Sequence, residues 1–131
     1  VGSEMCIRDS NKAHYNLGVA LYLKGDLEAA ASESKLAISL DPNDLEGYNT
    51  LGLIYKKGNK TPEAIEIFRK ALAINPAHSQ THYNLALLLE EDEKIEEAIF
   101  HYQKFIELSK FETNQALIEK VKNHLKQIAL P

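Results

Sequence analysis

The sequence predicts an all-α solenoid built from consecutive pairs of antiparallel helices, with one more helix at the C-terminal end. Three observations support this prediction. One pattern of residues returns every 34 positions, apolar residues within each copy recur at helical spacing, and turns containing Gly, Pro, Asn or Asp separate the helical segments. The 131 residues are 44% hydrophobic and 26% charged, which is typical of a folded chain rather than a disordered one.

The first ten residues are expected to lie outside this pattern. Residues 1–10 (VGSEMCIRDS) have no helical or strand period. Their back-translation resembles the adapter that transposase-based sequencing libraries add, and a serine codon at position 10 fits the end of that adapter. We therefore predict that residues 1–10 are a non-native, adapter-derived segment, of the kind that is set aside before fold reasoning, and that the native N-terminus is missing.

Composition narrows the class of partner. The 15 Lys and Arg against 19 Asp and Glu leave a net charge of −4, whereas nucleic-acid binding needs clustered positive charge. The apolar run at residues 86–89 is far shorter than the ~20 residues of a membrane span. The single cysteine forms neither an internal disulfide nor a multi-thiolate metal site. We therefore expect a protein or peptide partner, no nucleic acid and no membrane span.

The first helix of each repeat is marked by a leucine. Leu17, Leu51 and Leu85 stand one repeat length apart, and each is followed directly by Gly or Ala. A large residue lies three positions before each leucine and another lies four positions after it, so all three fall on one helical face. This face is predicted to pack, and the small residue lets the paired helix approach closely.

The second helix of each repeat is marked by an alanine. Ala30, Ala64 and Ala98 are separated by the same repeat length, and so are Pro42 and Pro76. The residue before a proline is pushed out of the helical region, so the second helices are predicted to end there. Short polar turns containing Gly, Asn or Asp separate the two helices of each pair.

These motifs resemble the tetratricopeptide repeat family, with copies at residues 11–44, 45–78 and 79–112. The three copies read His14-x2-Leu17-Gly18-x2-Leu21…Ala30-x3-Ser34…Pro42, Tyr48-x2-Leu51-Gly52-x2-Tyr55…Ala64-x3-Phe68…Pro76, and His82-x2-Leu85-Ala86-x2-Leu89…Ala98-x3-Tyr102. The third copy departs from the family pattern because Lys110 stands where a proline falls. The resemblance implies a right-handed superhelical solenoid that binds other proteins and is not an enzyme.

The last segment, residues 113–131, is predicted to form a capping helix. Leu117, Val121, Leu125 and Ile128 follow one another at spacings of four, four and three, which places them on one helical face. Such a helix covers the apolar end of a repeat array. The alternative is a helix that binds a membrane surface or a partner, because its other face carries three lysines.

The motifs of enzymes and metal sites are missing from the sequence. There is no glycine-rich phosphate loop, no Gly-x-Ser-x-Gly and no His-Glu-x-x-His, so we expect no catalytic residues and no cofactor. His78 and His82 could reach one metal from one helical face, but His82 occupies a packing position and two ligands leave a site incomplete. We therefore expect no metal. The acidic run at residues 90–93 is predicted to be a solvated turn, with a patch for a basic ligand as the alternative.

The faces of the first helices that lie off the packing stripe are predicted to line a concave groove, and the resemblance implies that this groove binds peptides. The predicted groove residues are Lys12, Tyr15, Asn16, Val19, Tyr22, Asn49, Thr50, Leu53, Lys56, Lys57, Gln80, Tyr83, Asn84 and Leu87. Within this set, Asn16, Thr50 and Asn84 occupy the same position of successive repeats. They resemble the asparagine ladder in the repeat arrays of protein O-linked N-acetylglucosamine transferases, which holds a ligand backbone. The alternative is that asparagine merely suits the repeat.

Aromatic and aliphatic anchors are expected to provide most of the affinity in this groove. Tyr15, Val19, Leu53, Tyr83 and Leu87 are of the types that dominate interface cores. The family members that clamp a terminal carboxylate use cations at positions where this chain has tyrosine, valine, glutamine or asparagine, so a co-chaperone role is disfavoured.

The predicted function is therefore capture of a partner's peptide segment in the groove. Two alternatives stay open. The chain could be the substrate-recruiting scaffold of a larger enzyme, such as a glycosyltransferase with a repeat array, because function resides in sites grafted on folds. It could also self-associate through the uncapped first repeat.

Overall fold

The fold is a succession of α-helices. The structure, a computed structural model, describes the backbone of residues 2–110 and 115–129 and the side chains of residues 11–110 and 115–129. These residues form seven α-helices and no strand, which confirms the predicted all-α class. The helices are α1 (Gly2–Lys24), α2 (Leu27–Leu40), α3 (Leu45–Lys57), α4 (Thr61–Ile74), α5 (Ser79–Glu91), α6 (Ile95–Leu108) and α7 (Gln115–Ile128). Two compact units, Val1–Ile74 and Asn75–Pro131, contain α1–α4 and α5–α7.

Helix α1 is longer than the sequence predicts. It begins at Gly2, within the segment that was expected to lie outside the repeats. Once a helix exists, each further residue adds one hydrogen bond, so α1 can continue upstream without an amphipathic pattern. The adapter origin of residues 1–10 stays a prediction. The predicted start of the capping segment at residue 113 lies outside the described residues.

The turns inside the three helix pairs share one geometry. Gly25, Asn59 and Glu93, which occupy the same position of successive repeats, have φ angles of 97°, 61° and 61°. The N–H of the following residue donates to the carbonyl five positions earlier at 2.8–2.9 Å, which closes the end of the first helix. Glycine and asparagine enter this left-handed conformation readily, whereas glutamate does so at some cost.

The turns that follow α2 and α4 are also alike. The N–H of Asn43 donates to Oδ1 of Asp41 at 3.2 Å, and the N–H of Ala77 donates to Oδ1 of Asn75 at 3.1 Å. The intervening prolines lack an N–H and end the preceding helix, as predicted.

Small residues and a large ring are buried at the motif positions of both units, and in the first unit the ring faces a glycine. In the first unit, Ala30, Ala64 and Phe68 are fully buried. A Cβ built on Gly52 of α3 would lie 2.6 Å from the Phe68 ring of α4, so this glycine is required for the close approach of the two helices. In the second unit, Ala98 is fully buried and Tyr102, at the position equivalent to Phe68, is 1% exposed.

The leucine at the packing position is exposed in the first repeat and buried in the other two. Leu51 and Leu85 are 2% and 0% exposed, but Leu17 is 47% exposed. Helix α3 packs on α2 of the preceding repeat, whereas in the described part of the chain α1 has no preceding helix pair to cover it. The predicted packing of Leu17 is therefore corrected. Self-association through this surface stays a prediction.

Helix α7 packs against α6, as a capping helix does, but through a different set of residues from the predicted stripe. Ile118 and Val121 are buried, while Leu117, Leu125 and Ile128 are only half-buried. Spacings of three and four residues fit both sets, so the periodicity could not select the one that packs. Ile118 is the residue that the sequence analysis missed.

Candidate binding surface

The predicted groove residues differ in exposure. The exposed members are Lys12, Asn16, Lys57 and Gln80, and the half-buried members are Tyr15, Val19, Tyr22, Asn49, Thr50, Leu53, Lys56, Tyr83 and Leu87. In α3 the opposite face contains the fully packed residues, including Leu51 and Ile54. The predicted amphipathic division is therefore present in α3, and most of the predicted residues retain contact with solvent.

In the first unit, two of the predicted residues meet. The ammonium of Lys57 in α3 lies 4.8 Å from the centre of the Tyr22 ring in α1. A cation over an aromatic face contributes about 0.5–1 kcal/mol at an exposed site. This contact links the C-terminal ends of α1 and α3 and orients both side chains.

The three polar side chains at the ladder position differ in their exposure to solvent. Asn16 is exposed and Thr50 is half-buried, but Asn84 is only 7% exposed. The Oδ1 atom of Asn84 accepts a hydrogen bond from Nε2 of Gln80 at 3.4 Å. Helix α5 has seven buried residues whereas α3 has four, so less of the surface of α5 is available to a ligand. Asn84 therefore differs from Asn16 in its access to a ligand, and the ladder of asparagines stays a prediction.

The second unit contains a half-open cavity of about 400 Å³ between α5, α6 and α7, which we call the α7 cavity. Its lining residues are Tyr83, Leu87, Tyr102, Lys120, Val121, Asn123, His124 and Gln127. Tyr83 and Leu87 belong to the predicted groove. Tyr102 enters the sequence analysis only as a motif position, and partner binding by the terminal helix only as an alternative, because periodicity does not tell which side of a terminal helix faces its neighbours.

A hydrogen-bonded cluster borders the α7 cavity. The Tyr102 hydroxyl donates to one carboxylate oxygen of Glu90 at 2.8 Å, and Nε2 of His124 lies 2.8 and 2.9 Å from the two oxygens. The cluster joins α5, α6 and α7. The Glu90 carboxylate is thus held by two side chains of the protein, which corrects its expected place in a fully solvated acidic turn.

The cluster changes the acidity of two of its members. Burial alone raises the pKa of the Glu90 carboxyl, but hydrogen bonds from His124 and Tyr102 outweigh it and hold the pKa below the ordinary value of 4.5. Burial, followed by the hydrogen bond to Glu90, raises the pKa of the Tyr102 hydroxyl. The hydroxyl therefore stays protonated as a donor while the carboxylate stays ionised as the acceptor.

The lowered pKa of Glu90 predicts a pH dependence of stability. Because the folded-state pKa lies below the unfolded one, the stabilisation is present above about pH 4.5 and is lost as the pH falls through the folded value. Glu90→Gln should therefore destabilise the protein at about pH 6 and cost less at about pH 3, as measured by urea unfolding. Glu91→Gln, at an exposed position of the same helix, is the control. An equal cost of Glu90→Gln at both pH values would contradict this role.

The two histidines considered as metal ligands have structural partners. His82 donates from Nε2 to the Pro76 carbonyl at 2.8 Å, and its Nδ1 lies 2.9 Å from Nδ1 of His101. Nδ1 of His78 accepts from the N–H of Thr81 at 3.3 Å and caps α5. Within residues 11–110 and 115–129, no three His, Cys, Asp or Glu side chains form a metal-binding group.

None of the described helices is long and apolar enough to cross a membrane.

Comparison with known proteins identifies the class. A model of the tetratricopeptide repeat matches residues 12–44 and 79–111, and a second model, of the TPR repeat, matches residues 52–93. The chain therefore belongs to the tetratricopeptide repeat family.

Particular relatives share parts of the chain. The peroxisomal targeting signal receptor of Saccharomyces cerevisiae is 32% identical over 71 residues, which cover 54% of this chain and 12% of the receptor. The protein O-mannosyl-transferase Tmtc1 of Drosophila melanogaster is 31% identical over 87 residues, covering 66% of this chain and 10% of the transferase. The chain thus spans a small part of these curated relatives.

A solved structure shares the fold over nearly the whole chain. It is the type III secretion chaperone SycD of Yersinia enterocolitica in complex with a peptide of the translocator YopD. Its TM-score is 0.87 at 20% identity, and the match covers 92% of this chain and 93% of that chain. At this identity the likeness establishes the fold.

Proposed function

We propose that this chain is a protein–protein interaction module that binds a peptide segment of a partner on the solvent-facing sides of its first helices. The observation that carries the proposal is the repetition of Val19, Leu53 and Leu87 at the same position of successive repeats. All three are apolar and only half-buried. Val19 and Leu53 lie in the first unit and Leu87 lies in the second. Within each unit, apolar side chains that stay partly exposed in this way are suited to partner binding.

The neighbouring side chains fit the same role. Tyr15 and Tyr83 are half-buried and add amphipathic aromatic surface, which is enriched at interfaces. Asn16 is exposed and can donate to and accept from a ligand backbone. Asn84 contributes only after it leaves its hydrogen bond with Gln80, so we assign Asn84 a smaller part than Asn16.

The relatives support this proposal by what they bind. The SycD structure contains a peptide of a secreted translocator, and the receptor relative is named for a targeting signal. Both names concern recognition of a segment of another protein. We propose the same class of activity here, with no catalytic residue and no cofactor of its own.

Substitutions of exposed apolar residues on a first helix and on second helices test the proposal. Peptides selected from a phage-displayed random library against the whole chain would be synthesised, and their affinities measured by fluorescence anisotropy. Leu53→Ser should weaken the best peptides about tenfold or more, because a central apolar anchor contributes at least ~1.4 kcal/mol. Leu36→Ser and Phe100→Ser are the controls, since these residues are 46% and 51% exposed but lie on second helices.

Two results would contradict the proposal. If the control substitutions weaken the peptides and Leu53→Ser does not, the binding surface lies on the second helices. If the library yields no binding peptide, the chain is not a general peptide-binding module.

A second candidate function is the substrate-recruiting part of a larger enzyme. The match to the O-mannosyl-transferase Tmtc1 favours it, because the matched segment is 10% of that protein. The encoding gene discriminates the two candidates. A catalytic domain in the same reading frame supports the scaffold role, and a reading frame limited to repeats supports the stand-alone module.

A further inference from the structure

We propose that the α7 cavity is a subsite for one apolar or aromatic side chain of the partner peptide, with a carboxylate beside it held at the rim. This inference rests on the proposed peptide-binding function and deepens it. It adds a specific pocket and a charge preference that the stripe of first-helix residues does not provide.

The walls of the α7 cavity are apolar and preorganised. Tyr83 stacks against Phe105 with ring centres 5.2 Å apart, and its ring centre is 6.3 Å from that of Tyr102. The polar tip of Tyr102 is fixed by Glu90, and its ring meets the His124 ring edge-on at 5.5 Å. A wall held in this way loses little conformational entropy when a ligand enters.

The α7 cavity has room for a side chain. Its volume of about 400 Å³ falls at the lower end of the range of ligand pockets. Leu87 and Val121 add aliphatic surface to the lining. An apolar or aromatic side chain matches this lining, whereas a charged head group would be desolvated against it.

The rim of the α7 cavity selects the charge of the peptide. Lys120, Asn123 and Gln127 are exposed lining residues of α7. Lys122 lies 3.4 Å from Glu119, whereas Lys120 makes no ion pair with the described residues. Glu90, which contacts the lining residues Tyr102 and His124, already accepts hydrogen bonds from both.

The rim therefore presents one available cation and two amides in a protein of net charge −4. This arrangement complements the side-chain carboxylate of an Asp or a Glu in the peptide. A lysine at the same place of the peptide would meet Lys120 and be disfavoured.

Two synthetic, fluorescein-labelled peptide pools test the subsite on the whole chain. Both have random positions around a fixed phenylalanine, which is followed by glutamate in one pool and by lysine in the other. The glutamate pool should bind more tightly. Lys120→Glu should weaken it about three- to tenfold, because a rim charge acts at the solvent boundary. Gln127→Trp should weaken both pools by filling the mouth of the α7 cavity.

Lys126→Glu is the matched control, since it makes the same change of charge at an exposed position of α7 that does not line the α7 cavity. If Lys126→Glu and Lys120→Glu have equal effects, or the pools bind equally, the subsite is wrong.

Leu53→Ser separates the two proposals. If Leu53→Ser weakens binding while Lys120→Glu and Gln127→Trp do not, the peptide-binding function is supported and the α7 cavity is not a subsite. If neither pool binds the parent protein, both proposals fail.

Discussion

Replacing Phe68 with alanine is expected to lower the free energy of unfolding by about 3–5 kcal/mol, which is the usual cost of deleting a buried aromatic side chain. Phe68 is fully buried, and its ring lies against Gly52 of the neighbouring helix. The deletion leaves a void between α3 and α4 that a glycine cannot fill. Urea unfolding followed by circular dichroism measures the change.

The double substitution makes this prediction specific. Gly52→Ala alone should cost about 1–3 kcal/mol, because the added Cβ would lie 2.6–2.9 Å from three atoms of the Phe68 ring. When Phe68→Ala is already present, the clash is gone and alanine favours the helix by up to about 1 kcal/mol. Gly52→Ala should then stabilise the protein. Gly58→Ala, whose Cβ would meet no atom closer than 3.5 Å, is the control. Additive costs would contradict this account of the α3–α4 contact.

Tyr102→Ala is expected to have an effect of similar size in the second unit, about 3–5 kcal/mol. Tyr102 is 1% exposed and its hydroxyl donates to Glu90, which also contacts His124 of α7. The substitution therefore removes a core ring and weakens the attachment of α7. Thermal unfolding measures the first effect, and the rate of trypsin cleavage after Lys120 measures the second.

Tyr102→Phe separates packing from hydrogen bonding. It keeps the ring and removes one donor to an ionised carboxylate, so it should cost about 1.5–3 kcal/mol. A cost of Tyr102→Phe equal to that of Tyr102→Ala would mean that the ring contributes nothing, which its burial contradicts.

Much of the fold follows from the repeat alone. The repeat period locates the first six helices because each turn demands the same backbone geometry, and Gly25 and Asn59 are residues that favour it. The close helix approach at Gly52 also follows from the motif, since Gly or Ala recurs at this position. Local sequence determines these features, so they can be predicted without tertiary information. The contact of Gly52 with Phe68 does not follow from the motif, because the equivalent position of the first repeat is Ser34.

The features that sequence analysis missed depend on which elements meet. The exposure of Leu17 reflects whether a helix pair covers α1, and the burial of Asn84 reflects how much of α5 is covered. The selection of Ile118 for packing depends on the rotation of α7 about its axis, which three- and four-residue spacings leave open. The cluster of Glu90, Tyr102 and His124 joins three helices, so no local motif predicts it.

The central claim is that partner peptides bind on the first helices, and two-dimensional amide NMR of the whole chain with a selected peptide tests it most directly. The account predicts that the largest shifts fall on α1, α3 and α5, around Val19, Leu53 and Leu87, and reach saturation as the peptide is added. Shifts confined to the second helices α2, α4 and α6 would contradict it.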